Sequence, residues 1–264
     1  MATITFSSAI KPSESLVNKT YESNRLVDLF SPVAEGKKRY ALIDVDNTLT
    51  APFDQEIGSA QWRQHIKKKA AAEGYNPDEV EDVLDQLWYY VMPQIHVRLV
   101  DQEARAVIEQ HQTAYPVLAF TAREFKEHTH TEKQLASLGI HLSNAHFPDE
   151  IPELYRNGVI YCGEMTKGEA MWKFFEITQI IPDEVHMADD KMEQIRNVQK
   201  ACEGKISFIG MRMGNEDARV ASFKGAVADL QLEMLPQIIT DSQALKMLEI
   251  QRPPLKLREF LQRI

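Results

Sequence analysis

Cysteine is scarce. The 264 residues contain two, Cys162 and Cys202, which form no disulfide framework and are spaced neither as CxxC nor as a zinc-binding pair, so a reducing compartment is expected. A basic excess is missing too. Thirty Lys+Arg against 39 Asp+Glu give a formal charge of −9, which lacks the electrostatic footprint of a duplex-binding protein, and no nucleic-acid partner is expected. No stretch approaches the roughly 18 apolar residues of a membrane span. The N-terminus lacks a basic region followed by an apolar block, so neither a transmembrane segment nor a cleaved signal peptide is expected. Walker-type, GxGxxG and GxSxG strings are absent as well, which sets aside nucleotide kinases, dinucleotide enzymes and serine hydrolases as far as motifs can.

What remains is globular. Hydrophobic residues make up 44% and charged residues 26%, with 11 Gly and 12 Pro, a balance unlike collagen, disorder or a coiled coil. At about 150 residues per domain the length gives one to two domains. Short apolar runs at Tyr40–Ile43, Val117–Phe120, Val159–Tyr161, Val185–Ala188 and Ile206–Ile209 read as buried strands. Segments with helical spacing separate them, at Lys126–Leu138, Lys167–Thr178 and Met192–Cys202. Alternation of this kind is the signature of a parallel sheet covered on both faces, an α/β, three-layer Rossmann-like fold. About 65 residues separate the first two strands, far more than one crossover helix needs. Residues 59–73 and 78–91 are therefore expected to form an αα-hairpin cap inserted after the first strand, with Asp101–Ala114 returning to the core. The division expected is an N-terminal extension (1–36, partly helical), a core (37–52 and 100–225), the cap (53–99) and a C-terminal helical segment (226–264).

The chemistry begins where the first strand ends. In Tyr40-Ala41-Leu42-Ile43-Asp44-Val45-Asp46-Asn47-Thr48 two carboxylates emerge from an apolar run, at the sheet edge where α/β proteins bind ligands. Clustered carboxylates resist ionisation unless a cation compensates them, and hard oxygen ligands suit Mg²⁺. The second strand ends in Thr121-Ala122-Arg123, a hydroxyl and a cation. Lys167 opens a helix, whose N-terminus attracts anions. The run Val185–Ala188 delivers a second acidic pair, Asp189 and Asp190.

As an ordered set, Asp44/Asp46, Thr121, Lys167 and Asp189/Asp190 resemble the four motifs of the haloacid dehalogenase (HAD) superfamily of phosphohydrolases, over about residues 37 to 212. More narrowly, VLAFTAR, TEKQLASLGI, TKGEAMWKFF and VHMADDKMEQIRNVQKAC look like an incompletely characterised HAD subfamily of intracellular bacteria, some of whose members are secreted effector phosphatases. The dehalogenase branch shares this pattern only up to the first Asp, so Asp46 favours phosphoryl transfer. The resemblance implies a HAD-like fold with Asp44 as nucleophile forming an aspartyl-phosphate and Asp46 as general acid and base with a raised pKa. It implies Thr121 and Lys167 on the phosphoryl oxygens. Mg²⁺ would be held by Asp44, the Asp46 carbonyl and Asp189, with Asp190 a ligand or its neighbour. Motif four departs from the commoner Gly-Asp pattern, Lys173 lies near Lys167, and Asn47 is given no role.

Other features have plainer readings. His128 and His130 read as surface residues, His186 as a packed core histidine and Cys162 as a buried thiol, no Arg following it at the spacing of a cysteine-phosphatase loop. Arg123 either clamps phosphate or pairs with the Glu124 and Glu127 region. Lys67–Lys69 read as a solvated face. Trp88, Tyr89, Tyr90 and Met92 read as cap packing, with an aromatic substrate such as phosphotyrosine the sharper alternative. Residues 241–264 carry five Lys+Arg and three Asp+Glu, which fits a membrane-surface contact or a docked terminal segment equally. The expected activity is a Mg²⁺-dependent phosphatase acting on a phosphorylated small molecule or phosphoprotein, in the cytoplasm or after secretion into a host cell. The alternative is a binding module that recognises a phosphorylated partner without turnover.

Overall fold

Every residue of Arg39–Ile43 is buried, and its side chains divide by the period of two that a strand imposes. Tyr40 and Leu42 enter one apolar cluster, Ala41 and Ile43 the other. That division makes this strand the middle layer of three. The computed structural model describes residues 16–30, 36–142, 147–249 and 254–264.

In chain order the elements are β1 (Asn18–Glu22), β2 (Arg39–Ile43), β3 (Thr50–Pro52), α1 (Ala60–Ala72), α2 (Pro77–Val91), β4 (Val97–Leu99), α3 (Ala104–His111), β5 (Val117–Thr121), α4 (His128–Ser137), β6 (Glu150–Ile151), β7 (Tyr155–Arg156), β8 (Val159–Tyr161), α5 (Lys167–Thr178), β9 (Glu184–Asp189), α6 (Met192–Cys202), β10 (Ser207–Arg212), α7 (Asp217–Ala221), α8 (Gly225–Met234), α9 (Asp241–Leu248) and α10 (Leu257–Leu261). The main sheet runs β1-β10-β9-β2-β5-β8-β7-β6, parallel except for the β6–β7–β8 edge. Helices α5 and α6 cover one face, where Phe174, Phe175, Ile195 and Val198 are fully buried. Each buried Phe stabilises the layer by about 1.5–3 kcal/mol. Helices α3 and α4 cover the other through Val107, Ile108 and Leu135. The fold class read from the sequence is the one found: α/β, a Rossmann-like parallel sheet in three layers with a helical cap after the first core strand.

The chain leaves β2 for β5 and β8, then returns to β9 and β10 on the other side. The order therefore switches between β2 and β9, the crevice where open α/β sheets bind their ligands. Pairing of Ile43 with Ala188 across that switch brings the next residues, Asp44 and Asp189, side by side.

Sequence and structure differ at several elements. The extension has a short 3₁₀ turn at Leu26–Leu29, but it also supplies β1, a parallel edge strand whose residues are mostly exposed and so leave no apolar run. The helix expected over Asp101–Ala114 is shorter, Ala104–His111, because Asp101 belongs to the turn before it, where its side chain accepts from Leu26 N and Glu103 N. The helix expected from Lys126 begins instead as a 3₁₀ turn, Phe125–Glu127, closed by a Glu124/Glu127 capping box.

The insertion stands on a stem of β3 paired antiparallel with β4. Ser59 caps α1 by accepting from Trp62 N, and Asn76 with Glu79 forms a capping box on α2 ahead of Pro77. Trp62, Ile66 and Ala70 face Val83, Leu84 and Leu87 across the hairpin. The C-terminal segment adds Leu232, Leu257 and Phe260 to this cluster, packs Val227, Leu230, Ile239 and Ala244 among themselves, and leaves Ile238, Leu245 and Ile264 exposed. Among the described residues no helix is long and apolar enough to cross a membrane.

Candidate active site

β2 gives out at Asp44, whose backbone N–H still donates to Ala188 O at 2.9 Å. Beyond it the chain turns sharply. Asn47 takes φ = 64°, a left-handed conformation that Asn tolerates better than most residues, and its N–H donates to Thr50 O at 2.8 Å. The turn holds Asp44 and Asp46 at the same edge. Asp189 ends β9 alongside, and Lys167 opens α5, where Thr166 and Glu169 form a capping box. Close approach of α5 to α6 fixes that helix start. A Cβ on Gly168 would lie 2.8 Å from the Ala201 Cβ, and Gly168 N donates to Asn197 Oδ1 at 2.7 Å.

Lys167 Nζ donates to Asp44 Oδ1 and to Asp189 Oδ2, both at 2.6 Å. Lys173, the nearby alternative, is exposed and lines a groove between α5 and α6. Asp44, Asp189 and Asp190 each offer an oxygen within 4.8 Å of the others. Three carboxylates against one ammonium leave an excess of negative charge in a mostly buried cluster. Burial pushes the Asp44 carboxyl up; Lys167 opposes this, and Asp189, Asp190 and Asp46 reinforce it. Burial and then Asp189 push Asp190 up to about 6. Lys167 is held above its usual value because its two carboxylates outweigh burial.

This donor set fits a hard divalent cation. Clustered, under-compensated carboxylate oxygens at a sheet edge are what Mg²⁺ takes from proteins, leaving its other positions to water and phosphate. The Asp189 oxygens already accept from Lys167 Nζ and from Lys191 N, the latter at 2.8 Å. Asp190 receives a longer 3.4 Å bond from Asn47 Nδ2 and has the most capacity left. The Asp46 carboxylate is not part of the cluster.

It is turned to Arg123 instead. Arg123 Nε donates to Asp46 Oδ2 at 3.0 Å and Nη2 to Oδ1 at 2.8 Å, while Nη1 serves Thr131 and Gln134. This corrects two expectations. Arg123 is not a free phosphate clamp, since all three of its side-chain nitrogens are engaged, and of the Glu124 and Glu127 region only Glu127 feels its charge, without an ion pair among the described residues. Asp46 also does not have a raised pKa, because although burial raises it, the Arg123 guanidinium outweighs burial and holds the carboxyl below its usual value. Thr121 is buried at the end of β5, its Oγ1 accepting from Arg123 N at 3.2 Å, and Ala122 rather than Thr121 lines the cleft. Thr48, which the motif contains but to which no role was given, donates from Oγ1 to Asp44 Oδ2 at 3.1 Å.

The cleft over these groups holds about 150 Å³, below the 300–1,000 Å³ of sites that engulf drug-sized ligands. It has room for a phosphoryl group and its waters rather than a whole substrate. Its outer wall is Arg63 and Trp88 of the cap, facing Lys191 and Gln194 of the core. Trp88 Nε1 donates to Glu127 Oε2, tying cap to core, and stacks on Trp62. Tyr90 packs on Phe260, and Met92 is buried in the cap. Lys67 and Lys69 pair with Glu81 and Asp229, away from the cleft. His186 is packed in the core with Nδ1 at 2.8 Å from Leu29 O, and burial pushes the Cys162 thiol up to about 12. His128 and His130 are half-buried and join no metal cluster among the described residues. Arg63, Lys191, Gln194 and the Trp88–Glu127 link carry no short motif, so nothing local in the sequence marks them.

A family model described as a protein of unknown function, DUF2608, matches residues 22–245. A Chlamydia pneumoniae protein named provisionally as an outer membrane protein is 18% identical over 222 residues, 80% of this chain and 83% of that one. A Chlamydia trachomatis protein of similar name is 21% identical over 177 residues, 65% of this chain and 67% of that one. Among solved structures, a haloacid dehalogenase-like hydrolase from Streptococcus pneumoniae is similar over 71% of this chain and 99% of its own, at 12% identity and a TM-score of 0.41. The HAD domain of the Legionella pneumophila effector Lem4, an inactive mutant, is similar over 80% of this chain and 98% of its own, at 12% identity and a TM-score of 0.36. At these scores neither likeness bears on activity.

Proposed function

This chain belongs to the DUF2608 family, and we propose that it is a Mg²⁺-dependent phosphatase that hydrolyses a phosphomonoester through an aspartyl-phosphate on Asp44. The observation that carries this reading is the contact of one buried ammonium, Lys167, with both Asp44 and Asp189 beside Asp190, at the sheet's switch point. Asp44, Asp189 and Asp190, with the Asp46 carbonyl, would hold Mg²⁺, which when bound supplies positive charge against the phosphoryl oxygens.

The chain's own groups perform the rest. An Asp44 oxygen attacks phosphorus and the bond to the leaving oxygen breaks; Asp46 gives that oxygen a proton only from its minor protonated form, because Arg123 holds it mostly ionised, so acidic leaving groups depart as anions. Water then attacks the aspartyl-phosphate, Asp46 takes its proton, and phosphate leaves with Asp44 restored. Dividing one hard displacement into two lowers the barrier of each. Lys167 opposes the burial that would keep Asp44 protonated, which favours the carboxylate needed for attack, and it neutralises charge as it shifts to phosphate. Thr48 orients the second Asp44 oxygen. Thr121 acts from behind, by fixing the backbone of Arg123. Arg63 and Lys191 at the mouth favour a substrate with negative charge beyond its phosphoryl group, and Trp88 favours an aromatic one, which makes phosphotyrosine in an acidic context a fitting class.

Phosphate release from an aryl phosphate, with Mg²⁺ and with chelator, tests the proposal. Metal-dependent release supports it. No release from aryl phosphates, sugar phosphates, nucleotides, phosphopeptides or phosphoinositides would leave the chain as a binding module instead.

A further inference from the structure

Gln134 on α4 has half of its amide committed. Its Oε1 accepts from Arg123 Nη1 at 2.8 Å, and because a guanidinium only donates, that contact fixes which way the amide points. The Nε2 end is buried without a hydrogen-bond partner, a costly state for a donor. Gln134 belongs to the wall of a groove of about 530 Å³ between the cap base, α4 and the loop after α8, a volume typical of small-molecule sites.

The groove carries one standing charge, the ammonium of Lys133, beside two imidazoles and with no carboxylate. Its titratable side chains are His96, His130 and Lys133, with no Asp or Glu, and none of the three makes an ion pair among the described residues. That is unusual for a protein of charge −9. Nearby, Lys126 pairs with Asp85 and Glu124, and Arg156 pairs with Glu132 and Glu150. Burial first, and then Lys133, Arg123 and His128, push the His130 pKa down, which favours the neutral ring, a hydrogen-bond donor. Between these groups lie Met92, Ile95 and Ile238, the last 40% exposed.

We propose that this groove is a second binding site, for a small organic anion that carries a carboxylate or phosphate head on an apolar body. The head group pairs with Lys133 and accepts hydrogen bonds from the two imidazoles, and the body covers Ile238 and Met92. Such an occupant touches cap, core and C-terminal segment together. Through Gln134 it stands one side chain from Arg123, and therefore two from Asp46. The proposal does not depend on the phosphatase reading, because binding is measured without turnover.

The test is calorimetric titration of the full chain with octanoate and with octylphosphonate below their micellar concentrations, with octylammonium as the control of opposite charge. Saturable one-to-one binding of at least one anion is expected, weakened at least tenfold by Lys133→Glu and by Ser137→Trp, and none of octylammonium. Lys133 and Ser137 are both exposed, so both variants are expected to keep the wild-type circular dichroism; if one does not, the other decides. The stronger of the two anions identifies the head group. Saturation by neither anion, equal binding of octylammonium, or undiminished binding in the folded variants would overturn the proposal.

Discussion

Arg123 grips Asp46 with two nitrogens, Nε to Oδ2 at 3.0 Å and Nη2 to Oδ1 at 2.8 Å. The pair has opposite effects on the two halves of the proposed reaction. An Asp46 held ionised is ready to take a proton from water, but it is a poor donor to the first leaving group.

Arg123→Met is therefore expected to raise the Asp46 pKa and change leaving-group dependence. In the wild type, kcat/KM should rise steeply as the leaving group becomes more acidic; in the variant that slope should flatten while hydrolysis of the aspartyl-phosphate slows. The sign for stability follows from linkage. Asp46 is depressed in the folded state, so its contribution is present above the unfolded pKa near 4 and is lost as pH falls through the folded value. With its carboxylate 37% exposed, the pair's loss costs about 1–3 kcal/mol, less than a fully buried pair would. A series of substituted phenyl phosphates and urea melts at pH 3 to 7 check both parts. An unchanged slope would contradict the role given to Arg123.

Asp44 and Asp190 shift the other way. Both are raised in the metal-free protein, Asp190 to about 6, so the folded state holds protons that the unfolded chain has lost. That contribution is lost as pH rises from the unfolded value near 4 through the folded values. The expected result is a metal-free melting temperature that falls from pH 5 to pH 8 for wild type more than for Asp190→Asn. Stabilisation by Mg²⁺ should grow over the same interval, because the ion displaces the protons. Thermal melts with and without Mg²⁺ at several pH values measure it, and Mg²⁺ stabilisation independent of pH would contradict it.

Lys167→Met strands two carboxylates in the interior. Breaking a buried pair by removing one partner costs about 3–5 kcal/mol, and protonation of Asp44 offsets part of that at lower pH. Urea denaturation should therefore show a larger loss at pH 8 than at pH 5, and Mg²⁺ should restore part of it. Equal stability of variant and wild type at pH 8 would mean that Lys167 is not the cluster's counter-charge.

Phe260 sits 4% exposed in the cap cluster against Tyr90. Phe260→Ala is expected to cost about 3 kcal/mol and to loosen the cap before the sheet. Limited proteolysis should cut first within 53–99, and KM should rise more than kcat falls. First cleavage within the sheet would contradict assignment of the C-terminal segment to the cap.

The legible parts of this protein were those whose partners are dictated by periodicity. β2, β5, β8, β9 and β10 stand out because both faces are covered, and α6 because Ile195, Val198 and Cys202 mark one side. β1, NKTYE, pairs through backbone alone and leaves its side chains largely in water, so no apolar pattern records it. Two-residue strands such as β6 and β7 are too short for any period. At the site, Asp44, Asp46, Lys167, Asp189 and Asp190 announce themselves because each follows or opens an element at the same sheet edge. Side-chain direction is not announced. Arg123 and Asp46 lie 77 positions apart, and the hydrogen bonds of Thr131 and Gln134 to the guanidinium hold it on Asp46 in the cleft wall. Likewise an apolar stripe on α10 says that something covers it, without saying that the cover is the cap.

The central claim is that Asp44 carries the phosphoryl group. Acid-quenching the enzyme during turnover of an aryl phosphate with Mg²⁺, followed by peptide mass analysis, tests it directly. The account predicts a phosphate adduct on the peptide containing Asp44, absent with chelator, with turnover lowered by roughly 10⁴-fold or more in a folded Asp44→Asn variant. Turnover with no adduct on that peptide, or near-normal turnover by Asp44→Asn, would contradict it.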